Sequence, residues 1–133
     1  MKRLLLLSVL LSGLCAGGVQ TRAADKPEAP YVHAVIFYLK KDAPKDEAKA
    51  LIADASELLA KIPTVRLVKA GVPAEKSTPK VAVTDYQVGL LVLFDNYDGL
   101  KTYLDHPLHT KYVEKHEKHI EKVLVYDFLN QVK

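Results

Sequence analysis

Val32-His33-Ala34-Val35-Ile36-Phe37-Tyr38-Leu39 is rich in β-branched and aromatic side chains, the composition of a strand. Strand alternation puts Val32, Ala34, Ile36 and Tyr38 on one face and His33, Val35, Phe37 and Leu39 on the other. Both faces are largely apolar, so both must be covered, which places the strand in the middle of a layered structure. Tyr86 to Phe94 (YQVGLLVLF) is the most hydrophobic segment beyond the N-terminal region and reads as a second central strand.

Between these two strands, Asp42-Ala43-Pro44 opens a helix, with Asp42 as N-cap candidate and the proline in the first turn. Ala48, Leu51, Ile52, Ala55, Leu58, Leu59 and Ile62 follow at helical spacing. Lys45, Glu47, Lys49, Asp54 and Lys61 face away from that stripe, and Pro63 ends the helix. Val65 to Ala70 forms a strand closed by Gly71, and a polar connection runs from Val72 to Val83. After Phe94, Asp95-Asn96 turns into a short helix from Tyr97 to Leu104. Pro107 interrupts the pattern, a second helical run extends from about Leu108 to Lys122, and Val123 to Leu129 is the last strand.

The order strand, helix, strand, strand, helix, strand is the α+β, ferredoxin-like split βαβ plan, with a four-stranded antiparallel sheet. Its helices cover one face only. The other face, carrying Ile36 and Tyr38, is apolar and needs a cover. In so small a domain the simplest cover is a second copy of the same sheet, which predicts a symmetric homodimer through the open sheet face.

Met1-Lys2-Arg3, an apolar run from Leu4 to Leu14 and the small residues Ala16-Gly17-Gly18 have the layout of a secretory signal peptide. The run is too short to span a bilayer, which takes about 20 residues. Cleavage fits after Gly18 or after Ala23, and 1–23 is taken as the signal peptide. Residues 24–30 then form a flexible leader, and 31–133 is one domain of roughly 100 residues. This predicts export to the periplasm or the extracellular space. Cys15, the single cysteine, lies within the export segment, and its upstream neighbours Ser12 and Leu14 are poor for lipidation. The mature domain therefore has no disulfide and no thiolate site. Of the 19 basic side chains, Lys2, Arg3 and Arg22 leave with the signal, so 16 remain against 16 acids. That balance speaks against nucleic acid or an anionic membrane as a partner of the mature form.

The block Tyr103-Leu104-Asp105-His106-Pro107-Leu108-His109 combines with the opening His33-Ala34-Val35-Ile36-Phe37, Gly71, Phe94-Asp95-Asn96-Tyr97 and the closing Tyr126-Asp127-Phe128. In these features the chain resembles the stress-responsive A/B barrel (Dabb) family from His33 to Phe128. The resemblance implies a homodimer whose paired sheets close into a dimeric α/β barrel, with a cleft in each subunit between sheet and helices. Some plant members cyclise polyketide chains without a cofactor, using a histidine and a tyrosine of this block. Those roles map to His109 and Tyr103, with His33 lining the cleft. The cyclising members carry an aromatic residue midway along the first helix and a polar one on the third strand. Ala55 and Val88 stand there in this chain, which implies a different pocket.

The residues themselves allow the same chemistry. His109 follows Pro107 near the start of a helix, and His109, Val113, His116 and Ile120 share one helical stripe that points inward. A neutral imidazole there exchanges a proton near physiological pH, and the Tyr103 hydroxyl can polarise a carbonyl, the two roles that proton abstraction beside a carbonyl requires. The structural alternative is that His109 caps a helix or bonds a main-chain carbonyl while Tyr103 packs. His33 shares a face with Val35 and Phe37, so His33 and Phe37 are candidate ligand contacts or ordinary core residues. His106, held extended before Pro107, reads first as a hydrogen-bonder at the helix break and second as a ligand contact. Tyr97, Tyr103, Tyr112 and Tyr126 could line a small apolar pocket or pack in core and interface.

His106, His109, His116 and His119 invite a metal reading, but His109 and His116 stand two turns apart, about 10.5 Å along a helix, too far to share an ion. His119 lies among Glu117, Lys118, Glu121 and Lys122, a solvated face. The chain has no glycine-rich phosphate loop, serine nucleophile elbow or zinc-spaced Cys/His cluster, so neither metal nor cofactor is expected. Three functions compete. The first is binding of a small apolar or aromatic ligand in the cleft. The second is a cofactor-independent lyase, cyclase or isomerase with His109 as base and Tyr103 as carbonyl partner. The third is a structural stress-stability protein, which gains if Leu51, Leu58, Leu90 and Val92 fill the cleft.

Overall fold

Four strands build one antiparallel sheet: β1 (Tyr31–Leu39), β2 (Leu67–Gly71), β3 (Val88–Phe94) and β4 (Ile120–Leu129), in spatial order β2-β3-β1-β4. The two strands with apolar residues on both faces, β1 and β3, are the inner ones, which have neighbours on both sides. A computed structural model describes residues 29–76 and 80–131. The expected signal segment, 1–23, and residues 24–28 of the expected leader lie outside the described residues. Ala29 is buried, and the Pro30 carbonyl accepts a 2.7 Å hydrogen bond from the Asn130 backbone N–H.

One sheet face is covered by α1 (Glu47–Glu57), α2 (Tyr97–Leu104) and α3 (Pro107–His116). On α1, Leu51 and Ala55 are buried, followed by Leu59 and Ile62 in the 3₁₀ turn and the residue after it. They pack on Val88, Leu90, Val92 and Phe94 of β3, and Leu100, Tyr103 and Tyr112 from α2 and α3 join the same core. Complete burial of a residue such as Leu51 contributes about 1.5–3 kcal/mol.

The structure corrects several boundaries. Helix α1 starts at Glu47, not near Pro44, because Ala43 N–H bonds the Lys40 carbonyl and Glu47 N–H bonds the Pro44 carbonyl, spending those residues on tight turns. The last helical run stops at His116 and passes through a 3₁₀ turn, Glu117–His119, into β4 at Ile120. Ile120 therefore pairs with Leu39 across a bulge and belongs to no helical stripe. Spacing alone could not separate the two, since a position four residues on shares a face in a helix and in a strand alike.

The two helices that flank the Pro107 break are both capped at their starts. The Asn96 side chain accepts from Gly99 N–H at 2.9 Å to open α2, and His106 Nδ1 accepts from Leu108 N–H at 3.1 Å to open α3. Pro107 occupies the first turn of α3, where its missing N–H costs nothing. The opposite sheet face remains without helices. Ile36 and Tyr38 are half-buried there, and Tyr126 and Phe128 of β4 are 56% and 54% exposed.

Candidate functional site

The ladder places the site. His33 lies opposite Val92 and Asp127, and Phe37 opposite Val88 and Val123, so the helix-covered face of β1 carries His33, Val35 and Phe37 in line with Val123 and Val125 of β4. No helix lies fully over that edge strand: Val123 and Val125 remain 41% and 50% exposed. The result is a cavity of about 330 Å³ between sheet and α3, walled by Val35, Phe37, Leu90, Tyr112 and Val113. Its polar groups include His33, Tyr103, His109 and His116.

Tyr103, on the last turn of α2, packs at a tilt against the His109 ring with centroids 4.6 Å apart, and edge-on to His33 at 6.0 Å. Phe94 supports it from below at 5.1 Å. The Tyr103 hydroxyl makes no hydrogen bond among the described residues. Every fully buried polar side-chain atom among them has a partner, so this hydroxyl opens onto the cavity. Burial pushes the phenol well above its ordinary pKa, so Tyr103 acts as a neutral donor. His109 shifts the other way. Burial lowers its pKa, the nearby His33 adds to this, and a hydrogen bond to the Leu104 main chain offsets part of it. The ring is neutral at pH 7 and presents a base beside a phenol donor.

His33 is 6% exposed, and its Nδ1 lies 2.7 Å from Asp127 Oδ1. With the carboxylate ionised, Nδ1 carries the proton of this contact and donates to Asp127. Asp127 was not among the sequence-derived candidates, although β-pairing puts it directly opposite His33. His33, Phe37, Tyr103 and His109 thus meet at one cavity. His106 does not line it and serves as the α3 cap. Of the four tyrosines, Tyr103 and Tyr112 line the cavity, while Tyr97 and Tyr126 are exposed. Ala55 and Val88 are buried in the packed core, so the difference they make to the pocket is indirect.

Glu47 and Asp54 do not face away from the core, contrary to the helical-stripe expectation. Glu47 is 6% exposed, and both carboxylates close on the buried His116 ring: Nδ1 to Glu47 Oε1 is 2.6 Å and Nε2 to Asp54 Oδ2 is 2.8 Å. Lys115 adds a 2.6 Å ion pair to Asp54. Burial alone would raise the Asp54 pKa, but bonds from Lys115 and His116 hold it below the ordinary value. His119 is half-buried rather than solvated, with Nε2 3.8 Å from Glu47 Oε2. A periodicity argument sorts charged residues outward and cannot see a buried histidine that draws them in. Among the described residues no His, Cys, Asp and Glu group has metal-holding geometry, and no helix is long and apolar enough to cross a membrane.

A ferredoxin-like α+β domain with an apolar, histidine-headed cavity between sheet and helices is the class these observations define. Residues 32–130 match the stress responsive A/B barrel domain, and the chain belongs to that Dabb family. Among solved structures it is similar to a Dabb family protein with a ferredoxin-like fold from Mesorhizobium loti, at 27% identity and TM-score 0.61, covering 77% of this chain and 97% of that one. A dimeric protein of ferredoxin-like fold from Bacteroides fragilis matches at 25% identity and TM-score 0.58, with 77% and 97% covered. Hydroxynitrile lyase from Passiflora edulis matches in fold at 16% identity and TM-score 0.66, with 80% and 99% covered. No curated protein matches the sequence.

Proposed function

We propose that this chain is an exported, homodimeric binder of small, largely apolar ligands that carry a carbonyl group. The observation that carries the reading is a neutral Tyr103 hydroxyl, without a partner among the described residues, beside the neutral His109 ring at the head of an apolar cavity. The cavity body buries the ligand's hydrocarbon surface, Tyr103 donates to its carbonyl oxygen, and His109 accepts from an adjacent acidic group. The cavity also weighs against a purely structural role. Leu51 and Val92 pack in the core without filling it, and Leu90 forms part of its wall. Export rests on the sequence pattern of residues 1–23. Dimerisation through the open face is supported by the exposed Tyr126 and Phe128 and by the dimeric neighbour from Bacteroides fragilis.

A second reading, cofactor-free lyase, cyclase or isomerase chemistry, is favoured by the His33–Asp127 pair across the cavity head. In that reading His109 removes a proton next to the carbonyl while Tyr103 stabilises the developing oxyanion. The hydroxynitrile lyase neighbour shares the fold on which such a site would be built.

A thermal-shift screen of residues 24–133 against small aromatic ketones, aldehydes and β-keto esters tests the proposal. A true ligand raises the Tm of the parent and leaves His109→Ala unmoved. Tyr103→Phe weakens binding by roughly tenfold, the worth of one hydrogen bond of about 1–1.5 kcal/mol. Where a hit is also turned over, the neutral His109 base is the active form. Because burial lowers the His109 pKa, the rate is sustained to lower pH than an unperturbed imidazole would allow, and falls as the ring takes up a proton in acid. Hits that shift all three proteins equally place the ligand elsewhere.

A further inference from the structure

Helix α3 stands beside a cavity where a helix of this kind would ordinarily rest on the sheet. Its Val113 side chain lines that space and is 39% exposed. Lateral contacts must therefore hold α3 at its height. Tyr112, Lys115 and His116 in its second half make such contacts to α1, which is anchored in the core by Leu51 and Ala55. Tyr112 lies edge-on to Phe37, with centroids 6.5 Å apart, and its hydroxyl donates to the Leu51 carbonyl at 3.3 Å. His116, 1% exposed and tilted against Tyr112 at 5.0 Å, reaches Glu47 and Asp54 with its two ring nitrogens.

We propose that Glu47 and Asp54 are positioning residues that act through His116, fixing α3 beside the sheet and so setting the width of the ligand cavity and the place of His109. The proposal rests on the cavity being the ligand site. Each of the two nitrogen–oxygen contacts needs a proton between its atoms, so the three groups hold two bridging protons, whichever atoms carry them. Lys115 faces Asp54 and balances its charge, and His119 faces Glu47 from the 3₁₀ turn. His109 occupies the first turn of the same ten-residue helix. A helix that short moves as one unit, and a shift at its clamped end reaches the other. A buried clamp of this kind is costly to break on one side, because the remaining charge stays buried without its partner.

The experiment measures binding of 2-acetylnaphthalene to residues 24–133 by amide chemical-shift titration at 20 °C. The parent is compared with Glu47→Leu, Asp54→Leu, the conservative Glu47→Gln and Asp54→Asn, and Ile62→Ala. The last removes a buried side chain that does not line the cavity. The leucine variants are expected to bind roughly tenfold or more weaker, a 1.4 kcal/mol change or larger. The amide variants keep one hydrogen bond each but lose the carboxylate charge, so they bind more weakly than the parent and more tightly than the leucine variants. Ile62→Ala loses melting temperature and keeps its affinity. If the leucine variants do not fold, the amide variants decide: a weaker affinity with altered His109 ring ¹⁵N shifts supports the clamp. Folded clamp variants that bind as tightly as the parent, with unchanged His109 shifts, overturn it while leaving the cavity reading intact. Failure of the parent itself to bind at the cavity overturns both.

Discussion

Phe94→Ala is expected to lower the unfolding free energy by about 3–5 kcal/mol, a large share of the roughly 5–15 kcal/mol available to a domain of this size. Phe94 is fully buried at the end of β3, where the sheet hands the chain to α2. Its ring packs under Tyr103 at 5.1 Å and meets the edge of His33 at 6.5 Å. Truncation leaves a cavity beneath the phenol, and the strand ladder on either side limits how far the site can collapse. Urea unfolding followed by circular dichroism, at one fixed protein concentration because the protein is read as a dimer, measures the loss. A change below 1 kcal/mol would mean that Phe94 is not the support on which Tyr103 rests.

Ile36→Asp is expected to convert the dimer to monomers. Ile36 sits at the middle of β1 on the sheet face without helices, opposite Gly89 and Leu124 and in line with the exposed Tyr126 and Phe128. Two-fold symmetry places each substitution twice in the interface, so two carboxylates lose water at once. At about 2–3 kcal/mol for each unpaired polar group, the dissociation constant rises by roughly three orders of magnitude or more. Sedimentation velocity reads this directly, with the exposed Lys49→Asp on α1, away from the open face, as a charge control. A variant that stays dimeric shows that the open face is not the contact surface. The cavity lies on the other side of the sheet, so ligand binding by a folded monomer is a separate outcome.

Most of the architecture was legible in the chain because the sheet is built from strong patterns. Two strands apolar on both faces can only be inner strands, and β1 and β3 are. The interrupted second helix followed from Pro107, and α2 spans Tyr97–Leu104 as its turn and periodicity implied. The errors fell where local pattern is ambiguous. Asp42-Ala43-Pro44 has the chemistry of a helix start but is used in turns, and Ile120 fits a helical stripe and a strand pairing equally well.

The site was legible in its apolar and aromatic parts. His33, Phe37, Tyr103 and His109 were named from face and motif, and all four line the cavity. The carboxylates were missed. Asp127 follows only once the β1–β4 register is known, and Glu47 and Asp54 are drawn inward by His116 from a helix 62 and more residues earlier in the chain. Long-range pairing of charge leaves no local trace in sequence.

The most direct test of the central claim is to map where a carbonyl-bearing aromatic ligand binds, using the strongest hit of the thermal-shift screen in ¹H–¹⁵N and ring-proton spectra of residues 24–133. Shifts are expected at His33, Tyr103, His109, Tyr112 and Val123, all lost in His109→Ala. Shifts confined to Ile36, Tyr126 and Phe128, or unchanged by that substitution, would contradict that claim.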